Sequence, residues 1–195
     1  MKRSFYTVLA AQFFSSLADN ALILACIALL REILNDPSPG SQEPLLKFFF
    51  TVAYVVLAPF VGAFADSRPK GSVMFITNLI KVFGCAIMLV GVSPMMAMVI
   101  VGLGAAAYSP AKYGIVTELV PANKLVAANG WIEALTVLSI IFGTVLGGFL
   151  SSTGLHEWVI ARHPTWTLSP ALTAITFICG VYGVAAISNK LIPDT

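Results

Sequence analysis

Charge is what this sequence has least of: Lys, Arg, Asp and Glu together make up 10% of its 195 residues, against roughly 25% in a soluble domain. So few ionic groups cannot cover a water-exposed surface, which excludes an ordinary soluble fold. The formal net charge is only +2 and the basic residues are scattered, so a nucleic-acid-binding face is excluded as well. Cysteine is sparse: Cys26, Cys85 and Cys179 each sit inside an apolar run, where a thiol behaves as a small hydrophobe. No disulfide framework is expected. The two histidines, His156 and His163, have no Cys or carboxylate grouped with them as metal ligands, and structural or solvated roles are expected. Neither has an Asp five residues downstream, as an acyltransferase motif requires, and there is no nucleophile elbow. The sequence therefore predicts no catalytic residue, no cofactor and no enzyme.

What is present is hydrophobic: 58% of residues are apolar and the mean hydropathy is +0.90. A lipid-spanning helix needs about 20 mostly apolar residues, and the runs 5–30, 44–65, 73–92, 95–116, 129–150 and 169–188 each meet that length. The runs are continuous rather than alternating, and every amide inside a bilayer needs an internal partner, so helices are favoured over barrel strands. The expected fold is an all-α membrane protein in which residues 1–195 form one bundle of six transmembrane helices, with no room for a separate soluble domain. Lys2 and Arg3 ahead of the first run resemble a secretory signal, but that run is too long and others follow. The first span is expected to be retained.

Positive residues stay on the cytoplasmic side. With the N-terminus inside, that side holds Lys2, Arg3, Arg68, Lys70, Lys112, Lys124 and Lys190, and the opposite side only Arg31, Lys47 and Arg162. Both termini are thus expected in the cytoplasm. The two longest connections, 31–43 and 151–168, then lie outside.

Ionisable residues within spans are costly and usually face a cavity or a partner. Asp19 lies near the middle of span one, and Gln12, Ser16 and Asp19 follow helical spacing, flanked by Ser15 and Asn20. One face of the first helix is therefore polar through the bilayer centre. It lines either a water-filled substrate path or a hydrogen-bonded seam between helices. Lys81, in the middle of span three with Asn78 three residues earlier, cannot easily reach an interface and calls for a carboxylate partner, for which Asp19 is a candidate.

Span four closes with Tyr108, Ser109, Pro110, Ala111, Lys112, Tyr113 and Gly114. The proline removes a backbone donor and should bend the helix where it presents Lys112. Glu133, one turn into span five, should lie at a similar depth and is a candidate partner for Lys112, unless the lysine snorkels to the interface. Gly143, Gly147 and Gly148 put small residues on one face of span five, a packing signal first.

The connection Gly62, Ala63, Phe64, Ala65, Asp66, Ser67, Arg68, Pro69, Lys70, Gly71 resembles the signature loop of the major facilitator superfamily. In that family the Asp and basic residues form a relay that latches the two halves in one conformation. That assigns a latch to Gly62, Asp66, Arg68 and Lys70, although Ser67 stands where a basic residue usually follows the Asp. Ala18, Asp19, Asn20, Ala21 and Leu22, the Asp66 loop, and above all the run GAAAYSPAKYG from Gly104 to Gly114 are similar to the bacterial lysophospholipid transporter branch. The similarity continues through Lys124, Leu125, Val126, Ala128, Asn129, Gly130, Glu133 and Ala134.

The resemblance implies flipping of lysophospholipids, chiefly lysophosphatidylethanolamine, across the bacterial inner membrane, where a cytoplasmic acyltransferase and acyl-ACP synthetase reacylate them. It implies that Asp19, Asn20 and Lys112 contact the polar head or take part in gating, with Tyr108, Tyr113, Glu133 and Lys81 as further candidates. Asp19 suits an amine and Lys112 a phosphate. The family has twelve spans, so the chain is expected to be an N-terminal half whose partner is a missing C-terminal six-helix half, with Pro193, Asp194 and Thr195 opening a central linker. The alternative within the superfamily is a proton-coupled exporter of drugs or metabolites, with Asp19 or Glu133 titrating.

Overall fold

The computed structural model of the chain describes residues 3–36 and 42–192. Lys2 and the 193–195 segment, read above as flanking charge and linker, lie outside these residues. So do the side chains of Arg3 and of Asp66, the central residue of the expected latch.

Among the described residues seven α-helices follow one another: α1 (Arg3–Leu34), α2 (Gln42–Asp66), α3 (Lys70–Leu89), α4 (Pro94–Leu119), α5 (Leu125–Leu150), α6 (Thr153–Arg162) and α7 (Pro170–Lys190), with a 3₁₀ turn at Ala122–Lys124 before α5. All but α6 are long and apolar enough to cross a membrane, so the six expected spans are present. Several run further than expected: α1 continues past Leu30 to Leu34, and α5 starts at Leu125, which puts Glu133 two turns into its helix rather than one. The 151–168 connection holds α6, whose ten residues are too few to span. Ser152 caps it, accepting from the Leu155 amide at 3.4 Å. His156 Nδ1 lies 3.3 Å from Thr173 Oγ1 and Trp166 Nε1 donates to the same hydroxyl at 2.9 Å, a structural role for that histidine.

The two triplets of spans interlock. The first helix of the bundle, α1, packs chiefly on α5 and α7, whereas α4 packs on α2 and α3, and α3 meets α7 to join the groups. This places α1 and α4 centrally: over an apolar stretch of 18 residues in each helix, half of α1 and 56% of α4 are buried, against 11% of α2 and 22% of α5. The apolar surface of α2 and α5 is therefore largely uncovered. Close approach comes from glycine. A Cβ on Gly102 would stand 2.5 Å from the Phe50 carbonyl of α2, and Cβ atoms on Gly143 and Gly147 would stand 2.5 and 2.6 Å from the carbonyls of Leu17 and Ala21 on α1. Gly148 is different, with its nearest such neighbour, Leu24, at 3.9 Å.

At the end opposite the termini, Glu32 accepts from the Ala171 amide at 2.9 Å and so satisfies a first-turn donor of α7, while Arg31 pairs with Glu43 at 2.8 Å. At the other end Asn189 donates to the Met74 carbonyl at 3.0 Å, tying α7 to α3. Two apolar clusters fill the bundle, one running from Ala18 and Leu22 to Leu30 with Leu46, Met88 and Ile175, the other around Phe5, Val8, Met74, Ile115 and Ile192. Cys26, Cys85 and Cys179 are free thiols within the spans. Between the clusters lies a polar layer, and the site is there.

Candidate functional site

Helix α1 runs through this layer, and its turn spacing delivers Gln12, Ser15, Ser16 and Asp19 to one wall of a cavity of about 200 Å³. The opposite wall comes from Tyr108, Ser109 and Lys112 of α4, with Lys81 of α3, Phe50 and Tyr54 of α2 and Thr136 of α5 completing it. The polar face of α1 is thus both cavity wall and seam. Its cavity-side residues Gln12 and Ser16 also bond to α5: the Gln12 amide donates to Thr136 Oγ1 at 2.6 Å, and the Ser16 and Ser139 hydroxyls bond at 2.7 Å.

Lys81 does have Asp19 as partner. Its ammonium lies 2.8 Å from Asp19 Oδ2 with the lysine side chain 1% exposed, donates to Ser15 Oγ at 3.0 Å, and lies 5.3 and 5.5 Å from the ring centres of Tyr108 and Tyr182. The other carboxylate oxygen accepts from the Tyr182 hydroxyl at 2.6 Å. Ser15 in turn donates to Asn78 Oδ1 at 2.8 Å. A buried charge without a partner is severely unfavourable, and here each charge of the pair has both an ionic and a neutral partner. Both oxygens of Asp19 are engaged from within the bundle.

Lys112 is placed differently. It is 9% exposed, its ammonium sits 4.4 Å from the ring centre of Tyr113, and among the described residues it forms no ion pair. The pairing with Glu133 does not form because Tyr113 intervenes: its hydroxyl donates to Glu133 Oε1 at 2.7 Å. With Asp19 and Lys81 balanced against each other, Lys112 is the cation of the cavity wall without an ion pair, Glu133 acting on it only from a distance. The α4 helix is continuous through Pro110, so Ser109 and Lys112 reach the cavity from one helix.

Of the residues expected from sequence, the structure brings Asp19, Lys81, Tyr108 and Lys112 together. Asn20, Tyr113 and Glu133 stand off the wall. Asn20 turns its amide back to the Ser16 carbonyl at 2.8 Å, against α5 at Gly143, and Tyr113 is 41% exposed. Tyr54, Thr136 and Tyr182 were not singled out by sequence. Each sits in an apolar run where a tyrosine or threonine reads as packing, and only the fold reveals what it faces.

In the expected latch loop, Lys70 donates to the Ala65 carbonyl at 3.0 Å, Arg68 lies over the Phe64 ring at 5.3 Å, and Ser67 Oγ bonds back to the Phe64 carbonyl at 2.8 Å. Pro69 stands at the N-cap of α3. Nothing lies within 4 Å of a Cβ on Gly62, so no close contact within this bundle demands glycine there.

Six apolar helices in two interlocked triplets, enclosing a charged cavity at mid-depth, define a multi-pass membrane protein of transporter type. The sequence pattern of the Major Facilitator Superfamily matches residues 8–191, and the chain belongs to that superfamily. Among curated proteins it is 42% identical over 194 residues to the lysophospholipid transporter LplT of Pectobacterium carotovorum subsp. carotovorum (strain PC1), covering 99% of this chain and 43% of that protein. LplT of Yersinia enterocolitica is 42% identical, with 99% and 43% covered, and LplT of Photorhabdus laumondii 41%, with 99% and 44% covered. The chain spans a little under half the length of these relatives. A crystal structure of a bacterial homolog to the human lysosomal transporter Spinster, inward-facing and unoccupied, shares the fold with a TM-score of 0.75 at 14% identity, over 99% of this chain and 44% of that one.

Proposed function

We propose that residues 1–195 act as one six-span half of a transporter that moves lysophospholipids across the bacterial inner membrane, both termini being cytoplasmic. The observation that carries this reading is Lys112: a cation on the wall of a membrane-embedded cavity, 9% exposed, that forms no ion pair among the described residues and feels Glu133 only at longer range. A phosphate supplies a counter-ion by charge-assisted hydrogen bonds, and the acyl chain stays in lipid. The LplT relatives support the same substrate class. The distribution of Lys and Arg supports the orientation, and the shorter length relative to those proteins supports a second six-span half closing the path over the bare α2 and α5 faces. Lysophosphatidylethanolamine is the preferred substrate on this reading, delivered to a cytoplasmic acyltransferase and acyl-ACP synthetase; the chain itself performs no chemistry.

Asp19 holds the cavity wall first: each of its oxygens already accepts one bond, from Lys81 and from Tyr182, and only the remaining lone pairs face a substrate amine. The test is movement of labelled lysophosphatidylethanolamine across vesicles holding the chain joined to a six-span second half. Flux that requires Lys112 supports the reading, and flux untouched by Lys112→Ala removes its basis.

A further inference from the structure

Among the described residues, Gln12 Oε1 and the Tyr108 hydroxyl are the buried polar atoms of the cavity wall without a hydrogen-bond partner; of the two, Gln12 Oε1 can only accept, and its orientation is fixed by its neighbours. Thr136 has a single hydroxyl hydrogen, donated to the Ile132 carbonyl at 2.8 Å. In its 2.6 Å contact with Gln12 the threonine oxygen must therefore accept, and the group facing it must be the NH₂ end of the amide. That leaves Gln12 Oε1 on the other side, with no hydrogen-bond donor, in a residue 3% exposed that lines the same cavity as Lys112. A buried acceptor without a donor is unfavourable, and a ligand carrying the right donor relieves it.

The charge of the cavity decides which donor. Asp19 is paired with Lys81, and Lys112 lines the cavity while Glu133 does not, so an ammonium approaching Gln12 is repelled by Lys112, whereas a neutral hydroxyl is not. A lysophospholipid carries such a hydroxyl on its glycerol, close to the phosphate. A diacyl phospholipid carries an ester at that position, with acceptor oxygens only.

We infer that Gln12 Oε1 accepts the free glycerol hydroxyl while Lys112 holds the phosphate, and that this pair distinguishes a lysophospholipid from its diacyl parent. The inference rests on the lysophospholipid reading above and adds a specificity residue to it. A site that hydrogen-bonds a substrate hydroxyl rejects the analogue lacking it, because its own polar group is then left unpaired.

The test is binding to the chain joined to a six-span second half in phosphatidylcholine nanodiscs, by displacement of a fluorescent lysophosphatidylethanolamine. Two competitors are compared: lysophosphatidylethanolamine and its deoxy analogue with hydrogen in place of the glycerol hydroxyl. The chain should prefer the hydroxyl form by about tenfold, the loss expected when one buried acceptor goes unpaired. Gln12→Met should weaken the hydroxyl form to the level of the deoxy form and leave the deoxy form unchanged, while Lys112→Ala weakens both alike. Equal binding of the two competitors to the unaltered chain overturns the assignment while leaving the lysophospholipid reading intact. Equal weakening of both by Gln12→Met also overturns it, since that reports only the bond between α1 and α5. Failure of both competitors to bind the unaltered chain overturns the substrate reading and this inference with it.

Discussion

Asp19 of α1 and Lys81 of α3 meet at 2.8 Å in mid-bundle, with Lys81 also donating to Ser15 Oγ and the second Asp19 oxygen accepting from Tyr182. Removing one member leaves the other charged and uncompensated among apolar helices, which typically costs about 3 kcal/mol or more, whereas removing both leaves no such charge. Lys81→Met should therefore destabilise the bundle more than Lys81→Met combined with Asp19→Asn, as measured by unfolding in mixed micelles. Additive losses would show that the two charges do not stabilise each other. On function, Asp19→Asn should reduce lysolipid uptake in a well-expressed protein, because Lys81 is then free to alter the cavity charge.

The contact of α1 with α5 depends on the absence of a side chain at Gly147, where a Cβ would stand 2.6 Å from the Ala21 carbonyl. Backbone cannot yield there as a flexible side chain can. Gly147→Leu should destabilise the bundle by about 1–3 kcal/mol, the usual range for overpacking, while Gly148→Ala next to it should change stability by less than about 0.5 kcal/mol. Thermal unfolding of the two variants side by side checks this, and equal effects would place the seam elsewhere.

Lys112 and Glu133 should separate in transport assays. Lys112→Ala removes the cation that, among the described residues, lines the cavity without an ion pair, and should lower flux by about ten- to a hundredfold, the worth of a charge-assisted hydrogen bond, with Lys112→Arg retaining part of it. Glu133→Gln and Tyr113→Phe alter a pair that stands off the wall and should leave flux within about twofold. A collapse of flux in Glu133→Gln would bring that carboxylate into the path.

How much of this was legible in the sequence follows from what membrane physics imposes. Six apolar runs could be counted because lipid tolerates little else, and the polar face of α1 was visible because Gln12, Ser16 and Asp19 share a helical period. Lys81 was identifiable as needing a carboxylate, since a mid-span lysine cannot stand alone. The helix in the 151–168 connection escaped because its ten residues mix Gly154, His156, Glu157 and Trp158 without a clear apolar face. Tyr182 escaped for another reason: it comes from the last span, 163 positions from the Asp19 it bonds, and no local pattern links them. The expected pairing of Lys112 with Glu133 had the right neighbourhood but missed that Tyr113, one residue along α4, takes the carboxylate first.

The most direct measurement is flux of labelled lysophosphatidylethanolamine in vesicles holding this chain alone, this chain joined to a six-span second half, and the joined form with Lys112→Ala. The account expects flux only in the joined form and its loss with Lys112. No flux in the joined form while it is folded, or flux that persists without Lys112, would contradict it.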